Sequence, residues 1–324
     1  MLSILALLCA ITTLSAEVRE VEVATSWGKL SGTLAMPDTQ SDTAILIVAG
    51  SGPTDRNGNS SLNLNTYCYK MLSDALVDEG FAVLRYDKRG VGLSNAPREA
   101  IESVVIDDFV DDALSCVAYL RGEGFRRVIV AGHSEGGEIA LLLANREPEA
   151  VDGLLLLCAT GYSMDKILMT QLSAQLMPAH VGLMVSATNI IQRLKCGEDV
   201  AEANIPKELI SLFHPSVQPF LRSTMAHDPQ ELAASCELPM LIITGGRDIQ
   251  VSADNGERLV EVAKRGRHIT FENMSHVLKD ASTSDRVEQL VSVYVNSQLP
   301  LTEGLVAFHH SHCYSHILTW QCLL

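Results

Sequence analysis

Two hydrophobic patterns alternate along most of the chain. Short, continuous apolar runs such as Thr43–Ala49 and Leu154–Cys158 are typical of strands that are buried on both faces of a sheet. Between these runs, apolar residues recur at helical spacing, as in Ile106–Leu120, whose opposite side is acidic. Because parallel strands are connected through helices, the alternation predicts an α/β fold with a mostly parallel central sheet and helices on both faces.

The same patterns predict the individual elements. Val21–Ser26 and Leu30–Met36, which are separated by a short turn, predict an antiparallel pair at the start of the sheet. The other predicted strands are Thr43–Ala49, Phe81–Tyr86, Arg127–Ala131, Leu154–Cys158, Pro239–Thr244 and His268–Phe271. The helices predicted between and after them are Thr66–Glu79, Ile106–Leu120, Glu138–Asn145, Asn255–Arg265 and Asp285–Ser297.

Only helical spacing occurs between Gly161 and Ala234. Loops longer than about 15 residues are uncommon in compact domains, so this stretch predicts a helical lid inserted between two strands. We expect residues 17–160 and 235–298 to form the core, residues 161–234 the lid, and residues 299–324 an atypical tail. The lid is rich in apolar side chains that either pack against the core or line an apolar pocket, among them Leu168, Met169, Leu176, Met177 and Met184.

The first 16 residues contain no charged side chain and predict a signal peptide. The apolar run from Leu2 to Ile11 is too short to span a bilayer, and small and polar residues follow it up to Ala16. The alternatives are a buried first strand or an uncleaved anchor. The predicted signal peptide leads us to expect a secreted or periplasmic protein. No later stretch has 18 uninterrupted apolar residues, so we expect no stable membrane insertion.

The tail from Leu301 onwards is rich in histidine and cysteine. Imidazole and thiolate are zinc ligands, but the spacing in this tail matches no closed zinc motif, which favours an appendage over a metal site. The eight cysteines are irregularly spaced and do not indicate a disulfide framework, although Cys196 and Cys236 could pair. We therefore expect neither a metal nor an organic cofactor.

Composition narrows the classes of partner. The chain has 324 residues, 47% hydrophobic and 19% charged, which is enough to bury a sizeable core. Its 24 Lys and Arg against 39 Asp and Glu give a net charge of −15, and such a surface repels phosphate backbones. We expect a small-molecule substrate and no nucleic acid, and the composition leaves the oligomeric state open.

A glycine-rich segment follows the predicted strand Arg127–Ala131. It reads Gly132-His133-Ser134-Glu135-Gly136-Gly137 and lies between that strand and a helix. A serine flanked by glycines at such a junction is exposed on a tight turn at the carboxyl end of its strand. Parallel sheets bind ligands at this end, so Ser134 is the candidate nucleophile.

A serine hydroxyl needs a base, and the base needs an acid that orients it. Asp248 follows the strand Pro239–Thr244, and His276 lies in the loop after the strand His268–Phe271. Both are therefore expected at the same edge of the sheet as Ser134. Asp280 is the competing acid, but it lies in the segment that leaves the site; His133 is interpreted as structural.

Acyl transfer also requires an oxyanion hole, formed by two backbone N–H groups. One donor is expected from Glu135, directly after the nucleophile. The other is expected from the loop Gly50–Asn59, where the N–H of Ser51 and that of Gly52 are both candidates. Pro53 has no N–H and is excluded.

Together these segments resemble the α/β-hydrolase superfamily, over about residues 21–297. The resemblance rests on the GHSEGG segment at 132–137, YDKRGVGLS at 86–94, GGRD at 245–248 and the Ser275-His276 pair. It implies that the 86–94 segment is a structural turn and that residues 161–234 occupy the position of the family's lid. The loop GSGPTDRNGN at 50–59 resembles that of secreted bacterial esterases active on short acyl esters.

The resulting hypothesis is a serine hydrolase that cleaves carboxylic esters of short to medium acyl chains through Ser134, His276 and Asp248. A serine peptidase, thioesterase or acyltransferase would use the same three residues, because triad geometry does not choose among them. A non-catalytic binding member of the fold is a further alternative, against which the intact triad argues.

Overall fold

The computed structural model describes residues 17–61 and 64–306. Its main sheet has eight strands in the order β1-β2-β6-β3-β7-β8-β9-β10, and a two-stranded ribbon of β4 and β5 lies apart from it. The strands are β1 Glu17–Thr25, β2 Gly28–Met36, β3 Thr43–Val48, β4 Asn59–Ser60, β5 Leu64–Asn65, β6 Ala82–Tyr86, β7 Arg127–His133, β8 Gly153–Leu157, β9 Met240–Gly245 and β10 Gly266–Phe271. The predicted signal peptide of residues 1–16 lies outside the described residues, as do residues 307–324 of the tail.

Strand directions agree with the predicted α/β fold. β1 pairs with β2, and β2 with β6, in antiparallel fashion, whereas the strands from β6 to β10 along the sheet are all parallel. The helices are α1 Cys68–Asp78, α2 Ile106–Gly122, α3 Glu135–Arg146, α4 Met164–Leu176, α5 Val181–Lys195, α6 Ile210–Phe213, α7 Gln218–Met225, α8 Pro229–Ser235, α9 Asp254–Val262 and α10 Arg286–Gln289. A mostly parallel central sheet with flanking helices is thus confirmed.

Successive side chains of the buried strands face opposite layers. Leu46, Val130 and Ile242 pack on the layer that contains α2, α3 and α9. Ile45 and Ile129 instead pack against α1 and against loop residues on the opposite face. This explains why the central strands are continuously apolar: both of their faces are covered.

Helices α4 to α7 form the helical insertion between β8 and β9. They have their own apolar core, in which Phe213, Ile191 and Leu172 are buried together. Helix α8, which the sequence analysis did not distinguish, packs instead on α3 and α9 beside the sheet, and its Ala233 joins the core of that layer. The insertion therefore has its own apolar core, and it contacts the sheet domain where Phe220 of α7 packs against Phe109 of α2. The chain returns to the sheet through α8.

One segment near the end of the described chain differs from its predicted form. The predicted helix Asp285–Ser297 is a single α-turn, Arg286–Gln289, followed by π-helix at Leu290–Tyr294. Its exposed side carries Val287 and Val291, so apolar residues there do not indicate burial. Cys196 and Cys236, which could have paired, are both unpaired. None of the helices within residues 17–61 and 64–306 is long and apolar enough to span a bilayer.

The segment after β6 forms a buried turn around Asp87. Its Oδ2 accepts hydrogen bonds from Arg56 Nη2 at 2.9 Å and from Leu93 N at 2.9 Å, while Oδ1 accepts from Arg56 N at 2.8 Å. Asp87 and Arg56 are both almost fully buried. Gly92, at φ 55°, adopts a left-handed conformation in the same turn, where a Cβ atom would lie 2.3 Å from Asp87 Oδ2.

We expect Asp87→Ala to lower the free energy of unfolding by about 2–4 kcal/mol. The substitution removes the buried acceptor of hydrogen bonds from Arg56 and Leu93, and it leaves the exposed Glu20 carboxylate as the remaining ion-pair partner of the buried Arg56 guanidinium. Urea unfolding followed by circular dichroism measures this change. Asp38→Ala, at an exposed position, is the control and should change stability by less than about 0.5 kcal/mol. Equal stability of the two variants would contradict a structural role for this turn.

Candidate active site

The parallel strands bring four loops to one edge of the sheet. The loops follow β3, β7, β9 and β10 and carry Ser51, Ser134, Asp248 and His276 respectively. The six strands β3, β6, β7, β8, β9 and β10 all run in the same direction. Their carboxyl ends therefore coincide at this edge.

Ser134 occupies a sharp turn between β7 and α3. Its backbone has φ 55° and ψ −121°, a conformation that costs a non-glycine residue about 1–3 kcal/mol. Neighbouring glycines permit the turn: a Cβ atom on Gly132 would lie 2.2 Å from Gly136 O, and one on Gly136 would lie 2.3 Å from Val48 O. The side chain of Ser134 is thereby held at the carboxyl end of β7, beside the first turn of α3.

The structure joins His276 to Asp248. His276 Nδ1 lies 2.7 Å from Asp248 Oδ2, and Asp248 Oδ1 accepts hydrogen bonds from the backbone N–H groups of Gln250 at 2.7 Å and Val251 at 2.8 Å. Since a carboxylate can only accept, the imidazole donates from Nδ1, which leaves Nε2 able to take up a proton. Asp280 instead accepts a hydrogen bond from the hydroxyl of Thr302 at 2.7 Å.

Ser134 and His276 line the same small cavity, whose volume is about 110 Å³. The two residues are 8% and 5% exposed, so both reach the cavity while being largely shielded from bulk water. Within the described part of the chain, Ser134 Oγ makes no hydrogen bond. Hydrogen bonds between a nucleophile and its base often tighten only when substrate binds.

A directed chain of hydrogen bonds connects the loop after β3 to the loop of His276. Gly50 N donates to the hydroxyl oxygen of Tyr69 at 3.0 Å, and Tyr69 Oη lies 2.8 Å from His133 Nδ1. His133 Nε2 lies 2.8 Å from the carbonyl oxygen of His276, which can only accept. His133 therefore carries its proton on Nε2, and Tyr69 donates to Nδ1.

Burial and the adjacent His276 lower the pKa of His133 to about 3. The imidazole is consequently neutral near pH 7, as the hydrogen-bond directions require. The structure agrees with the interpretation of His133 as structural, and it shows what the side chain does: it fixes the backbone of the loop that carries His276.

Lys88 binds the carbonyl group of Gly50, the first residue of the candidate oxyanion loop. Its Nζ donates to the carbonyl oxygen of Gly50 at 2.5 Å, and its side chain is buried. Burial lowers the pKa of Lys88, while the nearby Glu135 carboxyl raises it. Glu135 is buried as well, which raises the pKa of its carboxyl, and the Lys88 charge opposes that rise.

Gly50 cannot supply an oxyanion donor, because its N–H is bonded to Tyr69. The carbonyl and N–H of one trans peptide point in opposite directions. With its carbonyl oxygen held by Lys88, the Gly50–Ser51 peptide directs the Ser51 N–H away from the ammonium. Ser51 lines the cavity space on both sides of Ser134, whereas Gly52 lines one side only.

A second cavity, of about 500 Å³, opens on the other side of Ser134. Its walls combine the core with the helical insertion and are mainly apolar, including Phe109, Met164, Ile167, Leu168, Val217, Phe220 and Leu221. Of the lid residues considered above, Leu168 lines this cavity, Met169, Leu176 and Met184 pack within the insertion, and Met177 is exposed. Of the two expected roles, lining an apolar pocket is filled by Leu168 alone among these five residues. Three of the others pack within the insertion instead of against the core.

Three groups that can bind metal ions, His133, Cys158 and His276, have ligand atoms within 4.8 Å of one another. Both ring nitrogens of His133 and Nδ1 of His276 already have hydrogen-bond partners. Burial raises the pKa of the Cys158 thiol well above its usual range, which opposes the thiolate that a metal ion requires. The hydrogen bonds of the two histidines therefore explain, without a metal ion, why His133, Cys158 and His276 lie close together.

Sequence reasoning missed Tyr69 and assigned Lys88 only to a turn. Tyr69 lies near the start of a helical pattern, and nothing in its spacing distinguishes it from a core residue. Lys88 had one signal: a charged residue two positions after a continuously buried strand. Neither position could be linked to the site without knowing that α1 and β6 pack beside the loop after β3.

The fold and the turn at Ser134 define an α/β hydrolase. Over residues 62–280, more than half of its length, the chain matches the Hydrolase_4 family, described as serine aminopeptidase, S33, and it belongs to that family.

Individual relatives are esterases by name. The chain is 27% identical to esterase EstD of Thermotoga maritima over 239 residues, which cover 72% of this chain and 54% of EstD, so it spans about half the length of that relative. Est1E of Butyrivibrio proteoclasticus with bound ferulic acid has a TM-score of 0.56 at 18% identity, over 84% of this chain and 96% of Est1E. Pyrococcus furiosus esterase Pf2001 has a TM-score of 0.54 at 20% identity, over 81% and 84% of the two chains. The two structures share the fold.

We expect Tyr69→Phe to lower the free energy of unfolding by about 1–3 kcal/mol, because Gly50 N–H and His133 Nδ1 both lose a buried partner. Urea unfolding of the variant and of Tyr67→Phe, an exposed neighbour on the same segment, measures the difference. If the two variants were equally stable, the hydroxyl of Tyr69 would not connect the loops as described.

The low pKa of His133 predicts a pH dependence of stability. Between pH 6.5 and about 3 the unfolded chain binds a proton at this position that the folded protein does not. The free energy of unfolding therefore decreases as the pH falls through this window, by up to about 1.4 kcal/mol per pH unit from this group.

Unfolding of the wild type and of His133→Gln at a series of pH values between 7 and 4 isolates that contribution. The variant lacks the titrating group, so its stability should fall less steeply with decreasing pH. Parallel curves for the two proteins would show that His133 is not held neutral by the fold.

Proposed function

We propose that this protein is a serine hydrolase of carboxylic esters with short to medium acyl chains, in which Ser134 is the nucleophile, His276 the base and Asp248 the orienting acid. One observation carries the proposal. The imidazole that is hydrogen-bonded to Asp248 at 2.7 Å faces the same cavity as the strained serine at the end of β7.

In the first step, Ser134 Oγ attacks the ester carbonyl carbon while His276 Nε2 accepts its proton. Asp248 holds Nδ1 and stabilises the imidazolium. His276 then returns the proton to the leaving alkoxide as the carbon–oxygen bond breaks, which yields an alcohol and an acyl-Ser134 ester. Water, deprotonated by His276, attacks that ester, and Ser134 leaves with a proton from His276 and releases the carboxylic acid.

The negative oxygen of the tetrahedral intermediate is assigned to the N–H groups of Glu135 and Ser51. Glu135 begins α3, where its N–H has no intrahelical acceptor. Ser51 is preferred to Gly52 because Lys88 fixes the Gly50–Ser51 peptide from its carbonyl side. The Lys88 side chain is a positioning group in this mechanism, and it does not contact the reacting atoms.

Peptide hydrolysis is the second candidate, because the family is described as serine aminopeptidase. An aminopeptidase must bind a cationic amino terminus. Among the described residues that line the two cavities, Glu135 is the one acidic side chain, and its carboxyl is buried near the Lys88 ammonium. This lining favours a neutral ester, in keeping with the name of EstD.

The proposal of export rests on the sequence of residues 1–16 alone. It goes together with the likeness of the loop at 50–59 to that of secreted bacterial esterases. The domain boundaries at 160/161 and 234/235 are likewise proposed from sequence. Helices α4 to α7 pack on one another, whereas α8 packs beside the sheet.

Turnover of p-nitrophenyl acetate and butyrate tests the catalytic roles. We expect Ser134→Ala and Asp248→Asn to lower kcat by about 10³-fold or more, because the nucleophile or the correct tautomer of the base is lost. Asp280→Asn is the matched acid control, and Ser235→Ala, at an exposed position, is the serine control; both should retain activity near that of the wild type. Equal turnover by wild type and Ser134→Ala would reject Ser134 as the nucleophile, and aminoacyl-p-nitroanilide cleavage exceeding ester cleavage would favour the peptidase.

A further inference from the structure

Ser134 lies at the junction of two cavities of very different size. The cavity of about 500 Å³ and the cavity of about 110 Å³ share three lining residues, Ser51, Ser134 and Gln250. An ester whose carbonyl carbon contacts Ser134 Oγ must therefore send its two arms in different directions. The sizes of the cavities then restrict which arm is large.

The position of His276 decides which arm enters which cavity. His276 must protonate the leaving oxygen, so the alcohol arm has to lie within hydrogen-bond reach of His276 Nε2. His276 lines the small cavity and does not line the large one. The alcohol arm is consequently directed into the small cavity, and the acyl arm into the large cavity.

The oxyanion donors are consistent with this arrangement. Glu135 lines the large cavity, and Ser51 lies between the two cavities. The four substituents of the tetrahedral carbon are Oγ, the oxyanion, the alcohol oxygen and the acyl chain. Once the oxyanion faces these amides and the alcohol oxygen faces His276, the large cavity is the space that is left for the acyl chain.

The linings of the two cavities agree with their occupants. The large cavity falls in the size range of drug-sized ligand pockets, and its wall is formed mainly by apolar side chains of the helical insertion and of α2. The small cavity, at about 110 Å³, has less than a quarter of the volume of the large one. Its lining is more polar and includes Thr54, Thr66 and Tyr69.

We propose that the preferred substrates are esters of a medium-length apolar carboxylic acid with a small alcohol, such as a methyl ester, with the acyl chain in the cavity beneath the helical insertion and the alcohol in the cavity of His276. This inference rests on the proposed function. It adds which side of the ester bond carries the long chain, namely the acyl side. In each turnover the ester carbon–oxygen bond breaks, water supplies a hydroxyl to the acyl group and a proton to the alkoxide, and the products are the free acid and methanol.

A pair of isomeric esters distinguishes a preference for a long acyl chain from a preference for a long alcohol chain. Methyl octanoate and heptyl acetate have the same atoms and differ in the side of the ester bond that carries the long chain. We expect kcat/KM for methyl octanoate to exceed that for heptyl acetate by at least about tenfold, because only its chain is buried in the large cavity. Acid release at constant pH measures both reactions without a chromogenic leaving group.

Variants of the insertion then locate the acyl chain. Val217→Trp narrows the large cavity and should lower the ratio of kcat/KM for methyl octanoate to that for methyl acetate by about tenfold. Val185→Trp, an exposed position of the same insertion that lines neither cavity, is the matched control and should leave the ratio unchanged. Should Val217→Trp fail to fold, Ser216→Trp, on the exposed part of the same wall, replaces it.

Preference for heptyl acetate, equal rates for the two isomers, or no cleavage of methyl octanoate by a protein that cleaves p-nitrophenyl butyrate would overturn the inference and leave the proposed function standing. A ratio that Val217→Trp or Ser216→Trp does not change would also overturn it. Failure to cleave any ester, p-nitrophenyl butyrate included, would instead reject the proposed function.

Discussion

The backbone of Ser134 is held at φ 55° and ψ −121° because three segments of main chain meet around it. The carbonyl oxygen of Val48, at the end of β3, would lie 2.3 Å from a Cβ atom on Gly136, and Gly50 approaches the Cβ of Ser134 so closely that its own Cβ would lie 3.0 Å away. The arrangement of the site depends on this close approach. It brings the loop after β3 against the turn at Ser134, and it determines where the amides of Ser51 and Glu135 lie.

A second constraint connects that loop to the loop that carries His276. Tyr69 and His133 form a hydrogen-bonded link from Gly50 N–H to the carbonyl oxygen of His276, and every donor and acceptor along it is determined by its neighbour. Lys88 holds the carbonyl oxygen of the same residue, Gly50, which belongs to the next peptide group. Loops are ordinarily the most mobile part of a fold, and a buried, fully satisfied network of this kind keeps them in register. The strain at Ser134 is thus sustained by packing and by hydrogen bonds that come from elements distant in the sequence.

The sequence was sufficient for the features that depend on local pattern. Continuous apolar runs identified the parallel strands, and the glycines around Ser134 identified the turn, because each follows from the backbone chemistry of a few adjacent residues. Helix boundaries were less accurate. The region Asp285–Ser297 has helical spacing but forms one α-turn and a π-helix, with its valines facing outwards.

Features that depend on contacts between distant elements were not accessible. Tyr69 is a core-like residue in sequence, and its hydroxyl acquires a role only because α1 packs against the loop after β3. The choice of Asp248 over Asp280 could be argued from strand ends, whereas Asp280's partner, Thr302, lies in the segment that sequence reasoning had set apart as an atypical tail. The large cavity beside Ser134 likewise depends on side chains of the helical insertion that face the core, whereas the small cavity is lined by residues outside the insertion.

We propose that folding makes the Ser134 hydroxyl nucleophilic through His276. A fluorophosphonate probe that reacts with activated serine hydroxyls tests this proposal when the modified peptide is mapped by mass spectrometry. We expect a single adduct at Ser134, which forms with the native protein, does not form after unfolding in urea, and forms much more slowly in His276→Asn. An adduct at another residue, or no adduct on the folded protein, would show that Ser134 is not activated in this way.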